Sequence, residues 1–485
     1  LSAPEDRPSR SVIPITPMPA EGGVELVPLY QAHQKIYPRS VQGVFAQWRW
    51  LTVIITQVVF YGLPWLEWGQ RQAVLFDLGA RRFYIFGLVL YPQDFIYLTA
   101  LLVISALSLF LFTAVAGRLW CGFACPQTVY TEIFLWIERQ FEGDRSARMR
   151  LDAAPLSFNK VWRKTSKQLA WIVLSLWTGF SFVGYFTPIR ELTAAILSLG
   201  FGPWEIFWIL FYSLATYGNA GFMREQVCKY MCPYARFQSA MFDKDTLIVT
   251  YDDARGEPRG ARSKKSDPKA LGLGDCVDCT LCVQVCPTGI DIRKGLQYEC
   301  IGCGACVDVC DNVMDKVGYE RGLIKFSTQN AMDKGWSWAQ TVSHIFRPRV
   351  LVYTAVLWAI IIGVGVSLWL REPFKVDIVR DRATLARIVA GGKIENVYRL
   401  QIMNASEQNL TFHLQVDGLP GLNLASETDV QVAATESRWV SVRLQLPYDA
   451  APAGSHPILF RIESRAPNCQ SVGQLSEKTV FLVPR

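Results

Sequence analysis

A chain of 485 residues is too long for a single hydrophobic core. Its 51% hydrophobic content and 16 Trp, beside 19% charged residues, describe strongly apolar segments alternating with polar ones, as in a polytopic membrane protein with soluble parts. The net charge of +7 does not point to nucleic acid, because the basic residues gather in loops beside apolar runs, as positive-inside topology requires.

Residues 1–40 are Pro-rich and polar and lack the apolar stretch of a cleavable leader, so 1–47 reads as a cytoplasmic N-terminal segment that includes His33. Five apolar runs follow, about 48–66, 95–116, 169–186, 204–222 and 350–370, each near the roughly 20 residues that a bilayer core requires. Gly62 and Pro64 interrupt the first near its end. After the second run the loop carries Arg139, Arg145, Arg148, Arg150, Lys160, Arg163, Lys164 and Lys167, whereas residues 187–203 carry only Arg190. The basic loop therefore faces the cytoplasm, and five crossings place the N-terminus and residues 223–349 there, with 371–485 outside.

Thirteen Cys at tight local spacings suggest metal rather than disulfides. Cys469 stands alone and reads as a structural thiol. Just after the second and fourth runs come "GRLWCGFACPQ", with Cys121 and Cys125, and "CKYMCPY", with Cys228 and Cys232. Each is half of a bacterial ferredoxin signature, at a membrane edge. If these segments are helical, each pair lies at i and i+4 on one face, and two helix ends on the same side bring the four thiols together. Such a patch could bind soft Cu(I), bind a cluster or cycle through disulfides; buried small residues in helix packing are the plain alternative. Met223 and Met231 bracket Cys228 and could lend a thioether to Cu(I), and Glu132 and Glu138 could handle protons, although packing and helix surface explain them as well.

Residues 256–275, a basic and turn-rich linker, lead into "CVDCTLCVQVCP" and "CIGCGACVDVC". Three close cysteines wrap one cubane and the fourth reaches across to the other. Cys276, Cys279, Cys282 and Cys310 should thus hold one [4Fe-4S] cluster, and Cys286, Cys300, Cys303 and Cys306 a second, in a ferredoxin-like α+β domain. Asp311 stands where the signature has Pro after Cys310, a departure expected to touch only a turn and to put negative charge near a cluster. No phosphate loop or dinucleotide fingerprint appears. His344, His413 and His456 are scattered and read as surface or loop residues.

Beyond residue 371 the pattern changes to period two: Tyr398, Leu400, Ile402; Phe412, Leu414, Val416; Val440, Val442, Leu444, Leu446; Ile458, Phe460, Ile462. Turn residues separate these runs, which predicts an all-β immunoglobulin-like sandwich. The fold class is then an α-helical membrane protein with five transmembrane helices, an inserted two-cluster ferredoxin-like domain and a C-terminal sandwich.

This order of parts, with both Cys-x-x-x-Cys-Pro pairs and the stretches "YQAHQKIYPRSVQG" and "RRFYIFGLVLYPQDF", resembles the cytochrome c oxidase accessory protein family, called CcoG, FixG or RdxA. The resemblance implies a bacterial inner-membrane protein that reduces Cu(II) to Cu(I) for assembly of a cbb-type oxidase, with copper chaperones as partners. It names neither the electron donor nor a quinone site. An electron-transfer module fed by a quinol or ferredoxin, and a non-catalytic assembly factor, are the competing readings.

Overall fold

The computed structural model describes residues 35–198, 200–262, 271–381, 386–466 and 471–484. His33 and Cys469 lie outside them, as do the first residues of the "YQAHQKIYPRSVQG" stretch. Tyr37–Arg485 form one compact unit.

All five apolar runs fold as helices: α1 Val44–Gly62, α2 Phe95–Ala116, α6 Phe158–Val183, α8 Pro203–Thr216 and a last helix Pro348–Trp369; α3 to α5 are Leu119–Phe123, Pro126–Glu142 and Arg145–Ala153, and α7 is Ile189–Ser198. The expectation of five spans is met only in part. Among the described residues only the helical stretch Pro92–Ala116 and the helix Pro348–Trp369 are long and apolar enough to cross a membrane alone; α7 with Pro203–Met223 qualifies as a pair bent by 101°. The sequence explains the shortfall. Leu63–Trp65, a tighter turn with Pro64 in it, ends α1, and the first half of α6 carries Lys160, Arg163, Lys164 and Lys167.

The two long helices run between distinct ends of the molecule. At one end, Val74–Asp77, Arg82–Ile85 and Leu88–Leu90 form an antiparallel meander. No sequence pattern announced it. Leu75, Tyr84, Val89 and Tyr91 pack against Met403 of the C-terminal domain, and the Tyr91 hydroxyl donates to Asn404 O at 2.9 Å. Asp94, at the start of α2, is buried and pairs with Arg371 at 2.7 Å and with Lys375. Each helix of 22 residues is about 33 Å long. At the other end, Arg347 donates to Ala114 O at 2.7 Å and Asp245 O at 2.9 Å, fastening the start of the last helix to the end of α2.

The C-terminal domain is the sandwich that the alternation predicts. One sheet runs Asn423–Leu424, Ser437–Pro447, Lys393–Asn404, Phe374–Arg380, with Arg387–Val389 also on Lys393–Asn404; the other runs Asp429–Val432, Leu410–Asp417, Gly454–Arg465, Ser471–Val483. Tyr398, Leu400, Ile402, Phe412, Val442, Leu444, Phe460 and Ile462 are buried between them, on alternate positions as period two demands.

Candidate metal centre

The antiparallel pair Ile248–Tyr251 and Ile324–Ser327 carries the cysteine-rich segment between its strands, which contributes helices Leu281–Gln284 and Ala305–Val317. Gly302 and Gly304, at φ +66° and +72°, let the "CIGCGAC" loop fold back on itself, and a Cβ on Gly304 would stand 2.6 Å from Phe45. Asp308 of this domain caps α1, accepting from Phe45 N at 3.1 Å and Ala46 N at 2.8 Å.

Two hollows open in the domain. Cys276, Cys279, Cys282 and Cys310 line one with Tyr251, Val277 and Met314; Cys286, Cys300, Cys303 and Cys306 line the other, which Cys282 also borders. These are the same two crossed sets that the spacing predicts. Among the described residues no three His, Cys, Asp or Glu side chains converge closely enough for a single metal ion. Four thiols around an apolar hollow suit a multi-iron cluster better than a lone zinc. Burial pushes the thiols of Cys300 and Cys310 up to about 12 and that of Cys282 to about 11. They stay neutral until a metal displaces their protons.

The two Cys-x-x-x-Cys-Pro pairs do not lie on single helix faces, and that expectation is corrected. Cys121 sits in α3, but Cys125 is the extended residue before α4, with Pro126 at its first position. Cys228 sits in the π-helical turn Val227–Met231, and Cys232 precedes α9, Pro233–Met241, in the same way. Proline here opens a helix rather than following one, and it forces the preceding cysteine out of helical conformation. The pairs nevertheless meet. Each of Cys121, Cys125, Cys228 and Cys232 is near enough to the other three to feel their charge. All four are half-buried. Burial, with each thiol's neighbours adding to it, pushes Cys121 up to about 11 and Cys228 to about 12. Gln238, fully buried, donates its amide to Cys121 Sγ at 3.2 Å.

This tetrad abuts the second hollow. A Cβ on Gly122 would stand 2.8 Å from Cys303 Cα and from Ile301 O, and Cys121 packs into the apolar cluster of Val285, Ile301 and Cys303. Arg118, buried, donates to Cys300 O at 3.4 Å and to Ala235 O.

Comparisons with known proteins bear on both sites. Residues 223–329 match a 4Fe-4S dicluster domain, residues 98–142 a 4Fe-4S binding domain, and residues 364–484 the IG-like fold at the C-terminus of FixG. The chain is 39% identical over 428 residues to nitrogen fixation protein FixG of Rhizobium meliloti, covering 82% of each chain. It is 41% identical over 444 residues to protein RdxA of Cereibacter sphaeroides, covering 88% of this chain and 92% of that one. The chain belongs to the FixG/RdxA family. The chain is also similar, over 23% of its length and 97% of the other, to the crystal structure of a FixG-related protein from Vibrio parahaemolyticus, at 21% identity and a TM-score of 0.20.

Membership in the FixG/RdxA family makes this an iron–sulfur protein of the electron-transfer oxidoreductase type. Of the remaining candidates, Glu132 lies near enough to Cys303 for its charge to act on that thiol. Burial would raise Glu138, but Arg224, Arg148 and Lys167 outweigh it and hold the carboxyl below its usual range, with Arg148 at 2.8 Å and Arg224 at 3.1 Å. Glu138 is a structural anion that ties α4 to the segment before Cys228, not a proton carrier. Glu132 pairs with Arg49 at 3.5 Å. His344 stacks on Trp336, His413 bonds Asp429 at 2.8 Å and His456 bonds Pro452 O at 2.7 Å. Met231 is exposed.

Asp311 is no turn residue. Helix Ala305–Val317 runs through Cys310 and beyond, so proline there would break it, and Asp311 instead accepts from Gly322 N at 2.9 Å. The described ends of the 256–275 linker are docked, with Gly274 N on Pro258 O at 2.9 Å and Arg255 on Asp275 at 2.5 Å. Sequence reasoning missed Arg118, Gly122 and Gln238. For Arg118 and Gly122 the signal was present, a cation and a glycine inside "GRLWCGFAC"; Gln238 follows Cys232 by six residues and carried none.

Proposed function

We propose that this protein is a membrane-bound iron–sulfur oxidoreductase that reduces Cu(II) to Cu(I) for the copper centre of a cbb-type cytochrome c oxidase. In this reading copper meets Cys121, Cys125, Cys228 and Cys232. The observation that carries it is the contact of Gly122 with Cys303, which sets an incompletely enclosed thiol group directly against the ligand loop of the second hollow. Clusters bound by the eight ferredoxin cysteines supply single electrons. The chain's own residues receive the substrate: Cu(II) gains one electron and becomes Cu(I), the four cysteines keep their oxidation state, and a quinol or reduced ferredoxin replaces the electron. Thiolates favour soft Cu(I) over Cu(II), which makes the reduction more favourable.

Membrane placement follows the same reading. Five crossings, with clusters in the cytoplasm and the sandwich in the periplasm of a bacterial inner membrane, agree with the basic loop 139–167 and with the attachment of ferredoxin domain and sandwich to opposite ends of α2. Mixing the chemically reduced holoprotein with Cu(II) and a Cu(I)-specific indicator tests the activity. Cu(I) should form as the clusters regain the visible absorption of their oxidised state; clusters that stay reduced in the presence of Cu(II) would leave only the other readings.

A second reading has one observation in its favour. The 4Fe-4S binding-domain match over 98–142 includes Cys121 and Cys125, so the tetrad could itself hold a cluster in a plain electron-transfer module. Iron analysis separates the two, at about eight per chain for two clusters and about twelve for three.

A further inference from the structure

Arg118 is a buried cation with unusual company. Its Nη atoms hold the carbonyls of Cys300 and Ala235, its Nε has no hydrogen-bond acceptor, and among the described residues no carboxylate lies within ion-pair distance of it. The ionisable groups around it are Cys121, Cys300, Cys228 and Glu299, while Cys303 of the second hollow has a further buried cation beside it, Arg49. Cys300 belongs to the second hollow, and Cys121 and Cys228 belong to the tetrad. No ligand of the first hollow is among them. Arg293 lines that hollow but is paired with Asp291 at 2.8 Å and Asp278 at 2.5 Å, and a separate cation, Arg262, donates to Cys276 O at 3.4 Å.

Burying a guanidinium without an anion is costly. A thiol gives up its proton on binding a metal, and each metal–thiolate group is then anionic. We propose that Arg118 is the shared counter-cation of the centre held by Cys286, Cys300, Cys303 and Cys306 and of the Cys121, Cys125, Cys228 and Cys232 group, and that it makes both easier to reduce. It touches neither the ion nor its ligand sulfurs by hydrogen bond, so it is a positioning and charge-balancing residue. The first hollow has its own cation in Arg262, on Cys276 O, which a change at Arg118 leaves in place. The inference takes the tetrad from the functional reading above but needs no copper for its test.

The test is a potentiometric titration of the holoprotein followed by electron paramagnetic resonance, each signal being assigned by its loss in Cys286→Ser or Cys310→Ser. Arg118→Gln should lower the midpoint of the centre that includes Cys300 by at least a tenfold change in its reduction equilibrium, which is 59 mV for one electron. The centre that includes Cys276 should not move. Arg118→Lys keeps the charge and should titrate with the wild type. An unmoved midpoint in Arg118→Gln, or equal movement of both centres, overturns the proposal. Should Arg118→Gln lose iron, Arg118→Lys decides: iron and potential retained support the charge role, and iron lost or potential lowered refutes it. Failure of the wild type to reduce Cu(II) would leave these potentials unchanged, so the two results are separable.

Discussion

Gly122 stands against the backbone of Cys303: a Cβ at position 122 would lie 2.8 Å from Cys303 Cα and 2.9 Å from Cys303 N. The obstacle is main chain, so no side chain can swing away to make room. Gly122→Ala should therefore push α3 off the 301–303 loop, at about 1–3 kcal/mol of overpacking. The eight ferredoxin cysteines are untouched, so iron content should hold while Cu(II) reduction slows. Single-turnover reoxidation by Cu(II), monitored in the visible spectrum, checks this; an unchanged rate would show that this contact is not the electron's way out.

The crossed ligand sets make a sharper statement about one thiol. Cys286 follows the first triplet in sequence but lines the hollow of Cys300, Cys303 and Cys306. Cys286→Ser should damage the centre of the second triplet and spare that of Cys276, Cys279 and Cys282. Iron analysis with paramagnetic resonance of both centres reads the outcome, and selective loss of the first centre would reverse the assignment.

Glu138 links stability to pH. Its folded-state carboxyl is held below the ordinary value of 4.5 by Arg224, Arg148 and Lys167 despite burial. Stabilisation from a depressed carboxyl is fully present above the unfolded-state value and is lost as pH falls through the folded one. Thermal stability in detergent should thus decline as pH drops below about 4.5. Glu138→Gln should lose about 3–5 kcal/mol at neutral pH, because it leaves buried cations unpaired, and should flatten that acid limb. Melting curves for both proteins across the acid range give the comparison.

Asp94 holds the sandwich to the membrane helices through Arg371 and Lys375. Asp94→Asn should free the segment between the last helix and Phe374, which then becomes a site of limited proteolysis, while cluster content at the far end of α2 is unaffected. Equal protease resistance in mutant and wild type would mean that Tyr91 and the Leu75, Tyr84, Val89 packing suffice.

Much of this architecture was legible because its signals are local. Alternation at Tyr398, Leu400 and Ile402 reports a sandwich face, and the doubled triplets from Cys276 to Cys310 report two crossed sets of cysteines around two hollows. The meander at 74–90 was not legible, because short strands that pack on Met403 derive their stability from a domain more than 300 residues away. The span at 169–186 is the less distinct in the structure because α6 joins four cations in its first half to an apolar second half. In the site, the meeting of the cysteine pairs was legible from their repeated spacing. Their local form was not, since Pro126 and Pro233 start helices and put Cys125 and Cys232 at breaks. Arg118 escaped notice because its meaning depends on Cys300, distant in sequence and adjacent in space.

The central claim is that cluster electrons reach copper at the four membrane-edge thiols, and it is tested most directly by replacing one pair with serine. In Cys121→Ser/Cys125→Ser, and separately in Cys228→Ser/Cys232→Ser, Cu(II) reduction by the reduced holoprotein should fall to background while both ferredoxin centres keep their iron and their resonance spectra. Normal copper reduction by either variant, with the centres intact, would contradict the account and move the site of reduction to the ferredoxin hollows themselves.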